Sequence, residues 1–167
     1  HLINKRMHPA SLPYTEKELW VDQAIANESI RRTVETAKPG WSRRGKQAYP
    51  DLTPQCDTVL VSGTPLARAP HPGQAALTVL DALQPIGITT LVVDTHCLAP
   101  ALGSAAAVKP LATVEAVDAG VFTNLATVVT PVGGQADTGD VVLSISATYE
   151  DGSTIDMEVC HGDLEVL

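Results

Sequence analysis

The sequence has few aromatic residues, few cysteines and no overall basic character. Aromatic side chains make up 4% of the 167 residues, so the hydrophobic core must be built from Ala, Val, Leu and Ile. No segment approaches the roughly 18 consecutive apolar residues with which a helix crosses a bilayer. The formal net charge of −8 disfavours non-specific binding to nucleic acid or to an anionic membrane. We therefore expect a globular protein without nucleic-acid or membrane partners.

The N-terminus lacks the charged-then-apolar order of a signal peptide, and the sequence does not begin with Met. We therefore expect a cytoplasmic protein and a portion of a longer chain. The chain has an odd number of cysteines, namely Cys56, Cys97 and Cys160, and no two of them form a CxxC pair. This pattern disfavours a disulfide framework. The adjacent pairs His96-Cys97 and Cys160-His161 lack the spacing of structural zinc ligands, so we expect no metal site.

The N-terminal part predicts one long helix, over residues 15–37. Thr15-Glu16-Lys17-Glu18 has the pattern of a capping box, and Pro39-Gly40 is expected to end the helix. Trp41 opens a loop over residues 41–57 that carries a group of basic side chains. We interpret this loop as solvated, while a phosphate or an acidic partner surface stays open as its ligand. The basic residues of the loop are Arg43, Arg44 and Lys46.

Residues 58–94 predict a βαβ unit. An apolar strand over residues 58–62 is followed by a turn, a helix over residues 74–84 and a second apolar strand over residues 89–94. A further helix is expected over residues 99–107. In α/β proteins, a turn of small residues at the C-terminal end of a strand lets the backbone approach a ligand. Ser62-Gly63-Thr64-Pro65 is such a turn.

From about residue 113 the hydrophobic pattern changes to the period of two that is typical of strands. Strands are expected over residues 124–132, 141–149 and 153–159, and Glu150-Asp151-Gly152 predicts a hairpin turn between the last two. The expected organisation is thus an α/β lobe over residues 1–120, followed by a small antiparallel sheet or half-barrel over residues 121–167.

No motif for a known reaction accompanies the turn. The chain contains no P-loop, no GxGxxG pattern and no GxSxG nucleophile elbow. A small hydrolase that uses Ser62 or Cys97 with His96 is the least favoured alternative. Asp94, at the end of a strand, suits either a catalytic acid or a helix cap, and we favour the cap.

Seven short segments, spread over most of the chain, resemble the C-terminal portion of the MutL/GlmL family. These proteins are accessory proteins of glutamate mutase, an adenosylcobalamin-dependent enzyme, and are unrelated to the mismatch-repair protein of the same name. The similar segments are NKRMHP (residues 4–9), VLVSG (59–63), PGQAA (72–76), LDALQP (80–85), LAPALG (98–103), NLATVV (124–129) and YEDG (149–152).

This resemblance implies a fold and a function. The family is similar to the actin, sugar-kinase and heat-shock ATPase superfamily, in which a glycine-rich turn after a strand contacts adenosine. The resemblance places Ser62, Gly63, Thr64 and Pro65 at that contact, with Thr64 where the family has glycine. It implies ATP as the cofactor of the full-length protein, and a mutase subunit as partner.

The phosphate-gripping turns of the superfamily belong to an N-terminal lobe that this sequence does not contain. No catalytic residue is therefore carried over, and the chain alone is expected not to be catalytic. The alternative is a protein-interaction module that binds no nucleotide and docks through its antiparallel sheet.

Overall fold

The computed structural model describes residues 2–41, 52–134 and 136–166. The chain divides into two compact units, a first unit His1–Thr130 and a second unit Pro131–Leu167. Both contain strands and the first contains helices, which confirms the expected α/β class. None of the described helices is long and apolar enough to cross a membrane. The basic residues Arg43, Arg44 and Lys46 lie outside the described residues.

The N-terminal region of the first unit is helical. A short helix α1, Leu2–Met7, precedes the long helix α2, Glu16–Trp41. Lys5 of α1 forms a buried ion pair with Asp22 of α2, at 2.6 Å between Nζ and Oδ2. Because a buried charge is costly without a partner, this pair fixes how the two helices meet. The sequence did not predict α1.

The capping box at the start of α2 is confirmed. Thr15 Oγ1 accepts a hydrogen bond from the Glu18 amide at 3.3 Å, and Glu18 Oε2 accepts in return from the Thr15 amide at 3.4 Å and from the Tyr14 amide at 2.8 Å. The predicted end of the helix is wrong, since α2 continues through Pro39 to Trp41. A proline in the last turn removes only one helical hydrogen bond, so the helix tolerates it there.

The βαβ unit is confirmed. Strand β1, Thr58–Val61, is parallel to β2, Gly87–Val93, and the helix α4, Pro72–Leu83, connects them. A four-residue helix α3, Thr64–Ala67, follows β1 directly. Gln84 ends α4 in the left-handed conformation, at φ 48°.

The core of the first unit lies between α4 and one face of the sheet. Leu91 of β2 and Val79 of α4 are 0% and 1% exposed. Alternate residues of β2 are buried, because successive side chains of a strand point to opposite faces. The core therefore consists of aliphatic side chains, as the shortage of aromatics requires. Its buried members are Val61, Leu66, Ala75, Val79, Leu91 and Val93.

The expected boundary at residues 120 and 121 is displaced to residues 130 and 131. After β2 the chain forms α5, Ala99–Ala106, then α6, Pro110–Asp118, which the sequence did not predict. Strand β3, Thr123–Thr130, then pairs antiparallel with β2 and completes a sheet in the order β1-β2-β3. The sequence pattern placed this strand in the C-terminal sheet instead, because alternation alone does not specify which strand it pairs with.

The second unit contains a two-stranded antiparallel sheet among its described residues. Strand β4, Val141–Thr148, pairs with β5, Thr154–Cys160. The predicted turn joins them, with Gly152 at φ 82°. Of the two forms that we expected, the structure therefore has the small sheet. Its alternation places Ile145 opposite Met157 and Ser146 opposite Asp156.

Candidate functional site

The four predicted site residues form the connection between β1 and α3. Gly63 caps the N-terminus of α3, and its carbonyl oxygen accepts from the amides of Leu66 and Ala67 at 3.1 and 2.9 Å. Ser62 is exposed, whereas Gly63, Thr64 and Pro65 are half-buried. The structure thus brings these residues together in one turn at the C-terminal end of a strand.

Gly63 requires glycine for its backbone conformation. It adopts φ 117°, a region that other residues rarely occupy. Apart from Gly63 and its two neighbours in the chain, no atom lies within 4 Å of the point where a Cβ would stand. Residues distant in sequence therefore leave room for a flat ligand to approach the main chain at Gly63.

Asp94 lies next to the turn and is fully buried. Its Oδ1 accepts from the Leu98 amide at 2.8 Å, and its Oδ2 accepts from the Ala99 amide at 2.7 Å. These amides belong to the N-cap residue and the first residue of α5, so the Asp94 carboxylate caps this helix, although Leu98 and not Asp94 stands at the N-cap position. The Ser62 hydroxyl also donates to Oδ2, at 3.1 Å. One carboxylate therefore holds together the ends of β1 and β2 and the beginning of α5.

The hydrogen bonds keep this carboxylate charged. Burial favours the neutral acid and acts to raise the pKa of Asp94, but the amides of Ala99 and Leu98 and the Ser62 hydroxyl stabilise the anion. The net result is a pKa below the ordinary value. The amides at the N-terminus of α5, which in other proteins could bind a phosphate, are thus already bonded to the carboxylate of Asp94. Because this carboxylate is negatively charged, the site suits an uncharged ligand group better than a phosphate.

The residues that the hydrolase alternative needs are not connected. The Ser62 hydroxyl donates to Asp94, and no hydrogen bond among the described residues joins Ser62 or Cys97 to a histidine. His71 accepts from the Gly73 amide through Nδ1 at 3.1 Å, as the N-cap of α4. Cys97 is exposed, at φ 54°. A nucleophile without a base in reach is not activated, so this alternative has no support in the described geometry.

The cysteines do not form a ligand set in the described part of the chain. Cys56 and Cys97 are exposed and Cys160 is half-buried, and all three are free thiols. Within residues 2–41, 52–134 and 136–166, no group of three or more His, Cys, Asp or Glu side chains is placed to hold a metal ion.

Sequence reasoning missed the bond between Ser62 and Asp94, although a signal for it existed. In the parallel pair, Val61 lies opposite Val93, so the next residue of each strand emerges at the same edge of the sheet. A serine and an aspartate directly after two adjacent parallel strands can therefore be expected to meet.

Comparison with known proteins gives one family. A family model described as MutL protein matches residues 1–121, which include the turn, Asp94 and both helices that follow β2. Neither the curated proteins nor the solved structures contain a significant match.

Proposed function

The chain belongs to the MutL protein family, that of the glutamate mutase accessory proteins, and on this premise we propose that it serves an adenosylcobalamin-dependent mutase such as glutamate mutase. Its role is that of an accessory or chaperone-like lobe, and the mutase subunit is its partner. The cytoplasm is the compartment that we propose, in keeping with three free thiols.

The observation that carries a nucleotide role is the open turn at Gly63. Here the backbone adopts φ 117°, and no atom beyond the two neighbouring residues lies within 4 Å of the point where a Cβ would stand, so the flat base and ribose of ATP can lie against the main chain. The adjacent charge of Asp94 favours the uncharged adenosine over the phosphates. We therefore propose that Ser62, Gly63, Thr64 and Pro65 contact adenosine.

In this proposal the phosphates are held by a different lobe of the same protein. The turn offers no cation, and the carboxylate of Asp94 would repel a phosphate. The chain alone then binds the nucleoside part weakly and does not hydrolyse ATP. Catalytic residues are not assigned to any position of this sequence.

The test compares three ligands by isothermal titration with the chain and with the whole protein. Adenosine and ATP should bind, and inorganic tripolyphosphate should not bind to the chain alone. Replacing Thr64→Gly should tighten adenosine binding if the threonine methyl group crowds the base. The matched control is Thr148→Gly, the same change at an exposed position of β4. Failure of adenosine and ATP to bind either protein would remove the nucleotide role.

The accessory role has a separate test. Purified mutase subunits should co-elute with the whole protein in size-exclusion chromatography, and the yield of active mutase should rise when both are produced together. An unchanged yield together with separate elution would contradict the accessory role, whatever the nucleotide result.

A second candidate is a protein-interaction module that binds no nucleotide. Thr64 in place of glycine favours it, and so does the two-stranded sheet of the second unit, which has an exposed face. This candidate would be supported if isothermal titration showed no binding of adenosine or ATP while the mutase subunits still co-eluted with the whole protein.

A further inference from the structure

The negative charge of the protein is concentrated in the second unit. Residues 131–167 contain eight Asp and Glu residues and no Lys or Arg. Residues 1–130 contain eleven acidic and eleven basic residues, so they account for none of the net charge of −8. No ion pair among the described residues involves a carboxylate of the second unit. The charge of this unit is therefore not neutralised within the described part of the chain.

One face of the hairpin is exposed over residues 144–148 and 154–158 and carries carboxylates. Glu158 lies opposite Ser144 and Asp156 opposite Ser146, so the carboxylates follow one another along β5 beside small hydroxyl side chains. Two residues of a strand span about 7 Å, which is also the spacing of alternate side chains in any extended partner. We call this surface the acidic face. It consists of Ser144, Ser146, Thr148, Thr154, Asp156 and Glu158, all exposed.

The outer edge of β5 is a second feature of the same surface. The sheet of the second unit has two strands, so within the described residues β5 pairs only with β4. A strand at a sheet edge presents backbone amides and carbonyls that can accept a further strand. An isolated two-stranded hairpin is marginally stable in water, and a third strand stabilises it. The edge therefore favours an extended segment as the ligand.

The charge decides which extended segment fits. Nucleic acid and anionic membranes are repelled by a surface that carries only negative charge. A second copy of the hairpin would bring like charges together. The arginines of α2 are already paired, since Arg31 and Arg32 both contact Glu28, at 2.7 and 2.6 Å. A metal ion has no set of three ligands in the described residues.

We propose that a basic, extended segment of a partner protein docks along β5 as a third strand, with its Lys or Arg side chains over Asp156 and Glu158. Its alternate side chains lie on the opposite face, beside Ile155 and Met157. The proposal needs no nucleotide and does not depend on which enzyme the protein serves.

The experiment uses the intact chain and a labelled eight-residue peptide of alternating Lys and Val with blocked termini. Fluorescence anisotropy should show binding in 50 mM NaCl that weakens in 300 mM NaCl, because the contacts are charged. A peptide of four Lys followed by four Val has the same composition without the alternation and should bind more weakly. A peptide of alternating Glu and Val should not bind. Hydrogen exchange should slow at the amides of β5 when the alternating Lys peptide is bound.

The variants separate this face from the general charge. Asp156→Asn with Glu158→Gln should weaken binding of the alternating Lys peptide about threefold to tenfold, the sum of two exposed charge pairs. The control is Glu115→Gln with Asp118→Asn, which removes the same charge from exposed positions of α6 and should change affinity less than twofold. Equal losses from both pairs, equal binding of the two Lys peptides, or no binding at all would overturn the proposal.

Discussion

In the first unit the sequence provides a core and balanced charge, whereas in the second it provides neither. Leu91 of β2 and Val79 of α4 are completely buried in the core of the first unit, and acidic and basic residues are equal in number over residues 1–130. Among the described residues of the second unit none is fully buried, and residues 131–167 contain Asp and Glu but no Lys or Arg. The first unit is therefore stabilised by its own packing, while the second depends on the hairpin ladder and is opposed by its own charge.

The largest expected effect is on the core of the first unit. Leu91→Ala removes a completely buried side chain from the centre of β2 and should lower the free energy of unfolding by about 2–5 kcal/mol. Ile145→Ala, at a half-buried position of β4, should cost about 1 kcal/mol or less. Urea unfolding measures the first loss, with Trp20 and Trp41 of α2 reporting on the first unit, and hydrogen exchange at the amides of β4 and β5 measures the second. Equal losses would show that the hairpin has a core of its own.

The next effect concerns the junction that Asp94 makes. Asp94→Ala leaves the amides of Leu98 and Ala99 and the Ser62 hydroxyl without their acceptor and should destabilise the first unit by about 2–3 kcal/mol. Asp118→Ala, an exposed control at the end of α6, should change stability by at most about 0.5 kcal/mol. Thermal unfolding followed by circular dichroism makes the measurement. A loss for Asp94→Ala no larger than for the control would mean that water replaces the carboxylate.

Acid should weaken the first unit through the same residue. The pKa of Asp94 is lowered in the folded state, so its contribution is fully present above the unfolded value of about 3.9 and is lost as the pH falls through the folded pKa. The free energy of unfolding of the native chain should therefore fall as the pH is lowered below about 4. Asp94→Asn, which cannot titrate, should start less stable and show a flatter decline over the same range.

In the second unit the pKa of Asp151 is also lowered, mainly by the Ser153 hydroxyl that donates to it at 2.6 Å. This carboxylate is exposed, so its loss should affect the turn of the hairpin rather than the whole fold. If stability falls with pH as steeply in Asp94→Asn as in the native chain, the loss of stability in acid is caused by carboxylates other than Asp94.

Local patterns were sufficient to predict the elements with strong signals. The capping box Thr15–Glu18, the βαβ unit and the turn at Gly152 all depend on residues close in sequence, and all are confirmed. The capping role of Asp94 was likewise predictable from nearby residues, since the amides that donate to its carboxylate belong to residues four and five positions later in the chain.

Features that depend on distant residues were not predicted. The partner of β3 is chosen by the edge of β2, which the alternating pattern of β3 does not encode. Helix α6 was missed because the residues from about 113 onwards were assigned the period of two of a strand, although Pro110 stands at the start of α6, where proline suits a helix. Helix α1 is held by the ion pair between Lys5 and Asp22, which lie far apart in sequence.

The smallest expected effect is a response to salt that the two units do not share. Raising NaCl from 20 to 500 mM screens the repulsion among the carboxylates of the second unit and should stabilise its hairpin by a few tenths of a kcal/mol, roughly the size of exposed charge interactions. The first unit, with balanced charge, should change less. Hydrogen exchange at the amides of β4 and β5, compared with those of β2, measures the difference.

Asp156→Asn with Glu158→Gln should reduce the response of the hairpin, since it removes two of the eight negative charges. A response of equal size in β2 would mean that salt acts through general exclusion from the surface, and the charge difference between the units would then have no part in their stability.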